Sequence, residues 1–233
     1  MKLGCSIWSY HNTVSAGKLN VIDWIKLCRA ELNLDGIEFL DFPLHDPQAQ
    51  ELKEIKKLCT DLHLDIYAVS CDAQFGQPTG EAVDQQIDRL KSWIDIAYYL
   101  GAPICRCFTG APVANIDLKE QWRTMVKAYR KCLRYAEKKG IVIAPENHHG
   151  FVLTSKDMLK LAKKVKSDWF RMCLDTGNFT DLYPSIAETA HLAAFVHAKL
   201  YELDSGTGAE LKLDYEKIFS IFKTANFQGY LSI

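Results

Sequence analysis

At 233 residues the chain has room for one large domain or two small ones, and its 48% hydrophobic content is that of an ordinary globular protein. Its 28 basic and 29 acidic residues leave a net charge of -1, which excludes the basic excess that nucleic-acid grooves and membrane-surface patches require. No apolar run reaches the ~20 residues of a membrane span, and the opening MKLGCSIWSYHN has neither the apolar core nor the cleavage site expected of a signal peptide.

In chain order, a strand is expected over 2–9 (KLGCSIWS), then a helix over 19–32 with Val21, Trp24, Ile25 and Cys28 at helical spacing. A strand over 36–41 (GIEFLD) precedes a helix over 48–62 that carries Leu52, Ile55 and Leu58. A strand over 64–71 leads to a long helix over 80–101 closing on Gly101, a residue suited to a helix C-terminus. A strand over 102–109 (APICRCFT) is followed by a helix over 118–140, again closing on glycine. The strand 141–148 (IVIAPENH) precedes a helix over 155–167, opened by a Ser/Asp capping signal. Strands over 170–177, 194–201 and 229–233 alternate with a weaker helix over 185–193 and a helix over 214–227. No low-complexity linker divides the chain, so residues 1–233 are expected to form one domain.

Eight cysteines are present, none in a CxxC pair and most inside apolar stretches. They read as free buried thiols in a reducing cytoplasm rather than as zinc ligands. Cys105 and Cys107 share a strand face and are expected to pack. On the outer helix faces, Tyr98, Tyr99 and Trp122 are the candidates for contact between copies in a homo-oligomer.

Short apolar strands alternating with helices indicate a parallel α/β fold, either an open doubly wound sheet or a (β/α)8 barrel. The open sheet usually carries a glycine-rich turn after its first strand, and SIWSYHN holds none. A barrel demands chemistry at the C-terminal ends of several strands. Here Glu38 lies in the second strand with Asp41 at its end, and Arg106 is late in the fourth. Glu146 and His148 close the fifth, Asp175 closes the sixth, and His197 and Lys199 lie late in the seventh.

Strand alternation tests their convergence. If Glu146 faces the axis, so do Ala144 and His148, while Asn147 faces the helices. If Asp175 does, so do Cys173 and Arg171; if His197 does, so does Lys199. A Glu, an Asp and a His meeting from three successive strands suit a divalent ion such as Mn2+, Co2+, Mg2+ or Zn2+. Taken singly, each has a plainer explanation: a hydrogen-bonded core histidine, or acids that cap helices or face solvent. Arg106 and Lys199 are equally readable as ion-pair partners of these acids. Glu38 reads as a substrate contact, as a group behind the ligands, or as half of a structural salt bridge.

GIEFLD, APENHHG, LDTGNF, FVHAKL and the closing LDYEKIFSIFKTANFQGYLSI together resemble the sugar phosphate isomerase/epimerase superfamily of xylose isomerase-like TIM barrels. That group includes ketose 3-epimerases, hydroxypyruvate isomerase, inosose dehydratase and apurinic endonucleases. The resemblance spans nearly the whole chain. It implies a divalent metal held by Glu146, Asp175 and His197, with Glu146 also moving a proton and His148 lining the substrate pocket. Asn178 stands where many members have a substrate-contacting histidine. The resemblance also implies a fourth ligand, a glutamate one position beyond Ile233. On that reading the barrel is truncated within its eighth strand and lacks the eighth helix.

The implied function is metal-dependent isomerisation or epimerisation of a small sugar or sugar phosphate through an enediolate, with Glu38, Arg106, His148, Asn178 and Lys199 contacting substrate. Two alternatives share the fold: an inosose- or dehydroshikimate-like dehydratase, and a non-catalytic sugar-binding barrel. An apurinic endonuclease is disfavoured by a net charge of -1 and only seven histidines.

Overall fold

A computed structural model describes residues 1–233. Eight parallel strands form the sheet: β1 (Lys2–Ser6), β2 (Gly36–Leu40), β3 (Asp65–Ser70), β4 (Ile104–Cys107), β5 (Val142–Pro145), β6 (Met172–Asp175), β7 (Ala193–His197) and β8 (Tyr230–Ser232). Their ladder order is β5-β4-β3-β2-β1-β8-β7-β6. The remaining seam, between β5 and β6, is bridged at Ile143–Phe170 and Glu146–Cys173. Asn147 strengthens that seam. Its side chain donates to the Asp175 carbonyl at 2.9 Å and accepts from the Asp175 N–H at 2.7 Å, as a ladder residue would. The sheet is therefore a nearly closed barrel, and the open doubly wound alternative is set aside.

Helices lie between the strands: α1 (His11–Ser15), α2 (Val21–Ala30), α3 (Asp41–Leu44), α4 (Ala49–Asp61), α5 (Gly80–Leu100), α6 (Leu118–Lys139), α7 (Ser155–Val165), α8 (Tyr183–Thr189) and α9 (Tyr215–Thr224). Their ends follow the sequence chemistry. Asn20, Thr79 and Asp117 accept the first free N–H groups of α2, α5 and α6. Gly101 and Gly140 take the left-handed conformation, with φ of 83° and 70°, that stops α5 and α6. The short helices after β1 and β2 escape the sequence reading because each is a single turn or little more. No helix is long and apolar enough to cross a membrane.

The main core fills the space between strands and helices. Cys105 and Cys107 face it, which turns Arg106 into the barrel. All eight cysteines are buried and free. A smaller cluster of Tyr67, Ala68, Ala144, Cys173 and Phe195 plugs the bore. Tyr67 stacks on Tyr230 with ring centroids 4.1 Å apart. Gly4 makes room for it, since a Cβ there would lie 2.5 Å from the Tyr67 ring. Tyr67 is the extra residue of a bulge opposite Ile37 and Glu38, so Tyr67 and Ala68 both reach the bore and Ser70 follows them.

Two expectations are corrected. Trp122 is not an outer interface residue: it is buried against Phe151, with the Lys160 ammonium over its ring. Tyr98 and Tyr99 do remain exposed. Arg171, expected in the bore, precedes β6 and is exposed, its guanidinium folded back onto the carbonyls of Asp168 and Phe170.

Candidate active site at the barrel mouth

Above the plug, the same strands deliver polar groups. A cavity of about 700 Å³ opens there, walled by Arg106, Glu146, His148, Asp175, His197 and Lys199 on one side. Ala144, Cys173 and Phe195 sit two residues before Glu146, Asp175 and His197 and fill the bore, so strand alternation brings the three polar residues above them as expected.

Glu146 is 2% exposed and closely surrounded. Its Oε2 is paired with Arg106, and its Oε1 lies 3.4 Å from both His197 Nδ1 and Asn178 Nδ2. Burial by itself would raise its pKa, but Arg106 and His197 reverse that and hold the carboxyl well below the ordinary range. Arg106 is in turn stacked on the Phe108 ring at 3.8 Å. Across the bore, Glu38 Oε2 lies 2.9 Å from His197 Nε2 and 3.4 Å from Ser232 Oγ, while Ser70 donates to its Oε1. Glu38 is also ionised below its usual range: burial opposes this, and His197 and Arg106 outweigh it. Burial disfavours the His197 imidazolium, yet the carboxylates of Glu38 and Glu146 on either side push its pKa well above the ordinary value.

Asp175 behaves differently. Its Oδ1 accepts the Gly177 N–H at 2.7 Å and its Oδ2 lies 3.3 Å from Lys199 Nζ. Burial, with Glu146 nearby, raises its pKa. Lys199 is steadied through its main chain, with its N–H on Thr176 Oγ1 at 3.0 Å and its carbonyl on the Tyr215 hydroxyl at 2.7 Å. His148 packs on Phe108 and His149, and burial lowers its pKa, so it presents a neutral ring to the cavity.

Donor atoms of Glu146, Cys173 and His197 lie within 4.8 Å of one another. That spacing, with carboxylate, imidazole and sulfur donors, fits a single divalent ion bonded at ~2.0–2.3 Å. The cluster contains two of the three expected ligands. Asp175 is absent from it because Gly177 and Lys199 draw its carboxylate toward the loop after β6. Cys173 enters it from one layer below, its thiol pushed up to about 12 by burial.

Two further expectations change. Glu38 is fully buried and does not line the cavity, because its carboxylate is saturated by Ser70, Ser232 and His197. Asn178 does not line the cavity either; its amide is turned onto Glu146. Apart from Asp41, expected at the end of the second strand, the opposite wall was not foreseen. It holds Trp8, Phe42 and His45 together with Asp41, Asp72 and Arg89. Trp8 meets Phe42 edge-on at 5.9 Å, and Arg89 pairs with both Asp41 and Asp72. The available signal was positional: Trp8 and Asp41 lie at the ends of the expected strands 2–9 and 36–41.

No curated protein matches the chain in sequence. Among solved structures it resembles a D-psicose 3-epimerase from Clostridium cellulolyticum H10 with D-tagatose, at TM-score 0.82 and 16% identity over 100% of this chain and 84% of that one. It also resembles an L-ribulose 3-epimerase, at TM-score 0.77 and 20% identity over 99% and 80% of the two chains. A third is the probable 3-DHS dehydratase AsbF involved in petrobactin synthesis from Bacillus anthracis, at TM-score 0.81 and 15% identity over 100% and 92%. At such identities the likeness establishes the barrel and leaves the chemistry to the site. The family model described as xylose isomerase-like TIM barrel matches residues 28–233, and the chain, with its polar residues gathered at the C-terminal mouth of the strands, belongs to that family.

Proposed function

We propose that the chain is a metal-dependent isomerase or epimerase of a small sugar or sugar phosphate, working by proton transfer through an enediolate. The observation that carries this reading is the convergence of Glu146, Asp175, His197 and Lys199 from three neighbouring strands on one cavity, beside a donor cluster spaced for one ion. Glu146 and His197 would hold the ion, with Cys173 adjoining and Asp175 the ligand that the family resemblance implies. A bound divalent ion supplies Lewis acidity to a carbonyl and its neighbouring hydroxyl.

The protein groups divide the remaining work. Arg106 and His197 keep Glu146 ionised, so it is ready to accept a proton but is a weak base while both contacts persist. Asp175, whose proton affinity is raised by burial, is the stronger base of the two and lies on the same cavity. Lys199 and neutral His148 face the cavity as donors to substrate oxygens. The Trp8 and Phe42 rings offer an apolar wall to the carbon face of a sugar.

The test is solvent deuterium exchange into a panel of ketoses and aldoses, with Mn2+, Co2+, Mg2+ or Zn2+ added. Exchange lost in Asp175→Asn with bound metal unchanged assigns the proton to Asp175, and exchange kept in that variant leaves it with Glu146, whose own substitution also removes an ion ligand. No exchange with any sugar in any metal would overturn the reading. The dehydratase named among the similar folds shares the first deprotonation, and a product lighter by one water would identify that outcome.

A further inference from the structure

Glu38 is unusual among the charged groups near the cavity because no substrate can reach it. It projects from β2, whereas His197 ends β7, and β1 and β8 lie between those strands in the sheet. The bond from His197 Nε2 to Glu38 Oε2 therefore crosses the bore rather than joining neighbours. The carboxylate is itself held from two more strands. Ser70 of β3 donates to Oε1, and Ser232 of β8 reaches Oε2 at 3.4 Å while accepting the Tyr67 hydroxyl at 2.6 Å. Such a carboxylate has little freedom to rotate, and the imidazole bonded to it inherits that restriction.

The other ring nitrogen faces the chemistry. His197 Nδ1 is the atom 3.4 Å from Glu146 Oε1, and both residues belong to the cluster spaced for an ion. We propose that Glu38 is a positioning residue: by taking the Nε2–H of His197 it fixes the ring so that Nδ1, and not Nε2, is offered to a divalent cation beside Glu146. This rests on the metal site of the proposed function. A carboxylate behind a ligating imidazole sets which nitrogen carries the proton and increases the basicity of the other, and loss of such a partner typically weakens metal binding by ~10–100-fold. A purely structural ion pair would stabilise the fold without any preference between the two nitrogens.

The experiment uses the full chain labelled with 15N-histidine, read by long-range 1H–15N correlation without metal and with one equivalent of Zn2+. Zn2+ affinity is measured by competition with a chromophoric chelator, and folding of each variant is followed by circular dichroism. In the wild type we expect a protected Nε2–H on His197 in both states and Zn2+ on Nδ1. The isosteric Glu38→Gln variant is expected to stay folded, lose the protection of that proton and bind Zn2+ about 10–100-fold more weakly, whereas Glu146→Gln loses Zn2+ but retains the protected Nε2–H. Coordination through Nε2, or a Glu38→Gln variant with wild-type affinity and an unchanged Nε2–H, overturns the proposal. If the wild type takes up no Zn2+, the metal of the proposed function is lost. The role of Glu38 is then decided by the metal-free spectra: an Nε2–H protected in the wild type and exposed in Glu38→Gln upholds the positioning, and identical spectra overturn it.

Discussion

The plug and the mouth of the barrel are built from the same strands, two residues apart, and they face opposite physical problems. In the plug, Ala144, Cys173 and Phe195 meet Tyr67 and Tyr230 in apolar contact, and burial there stabilises the fold directly, at ~25 cal/mol per Å². In the mouth, Glu146, Asp175 and His197 place charge where water is scarce, and each must find a partner. Glu146 has Arg106, Glu38 has His197, and Asp175 has the partly exposed Lys199. A step of two residues along a strand separates the part that stabilises the barrel from the part that can do chemistry.

The largest expected effect breaks the mouth. Arg106→Leu strands the Glu146 carboxylate in the interior and should destabilise the protein by ~3–5 kcal/mol, measured by urea denaturation. A loss under ~1 kcal/mol would show that this pair does not hold the mouth together. A change in the plug should cost less. Gly4→Ala drives a Cβ to 2.5 Å from the Tyr67 ring, an overpacking expected to lower stability by ~1–3 kcal/mol in the same urea measurement.

Acid should act most strongly on the mouth, where the buried carboxylates lie. Glu38 and Glu146 have folded pKa values below the unfolded value of ~4.3, so the folded state binds fewer protons than the unfolded one in that range. Their contribution is complete above the unfolded pKa and is lost as pH falls through the folded values. The urea midpoint of metal-free protein should therefore decline from pH 5 toward pH 3, and a midpoint that holds steady would contradict the pairing described. Asp175 has the opposite sign, since burial raises its pKa and the fold opposes its ionisation. Asp175→Asn should accordingly shift stability the least, by within ~1 kcal/mol, because its partner Lys199 is 38% exposed and screened. Destabilisation well beyond that in a melting experiment would show that the Asp175 charge is favourable to the fold.

Much of this arrangement was legible in the chain. All eight strands fall where short apolar runs announced them, because strands covered on both faces need such runs. The polar strand ends were equally visible, since a charged residue closing an apolar run is a local feature. What escaped was how those ends are oriented. Glu38 reads as a substrate contact, a group behind the ligands or half of a salt bridge until the fold sets it against His197, 159 positions away. Asp175 reads as an equal partner of Glu146 until Gly177 and Lys199 draw it aside.

The sequence by itself determined the alternation of strands and helices and which residues crown the strands. These follow from local periodicity and from the free energy of burying apolar side chains. Only the tertiary structure decided which of those residues meet. The bulge at Tyr67 sets which side chains of β3 enter the bore, and closure of the sheet through β8 sets the distance from Glu38 to His197. Contacts across the bore depend on register around the whole barrel, and no window along the chain contains that register.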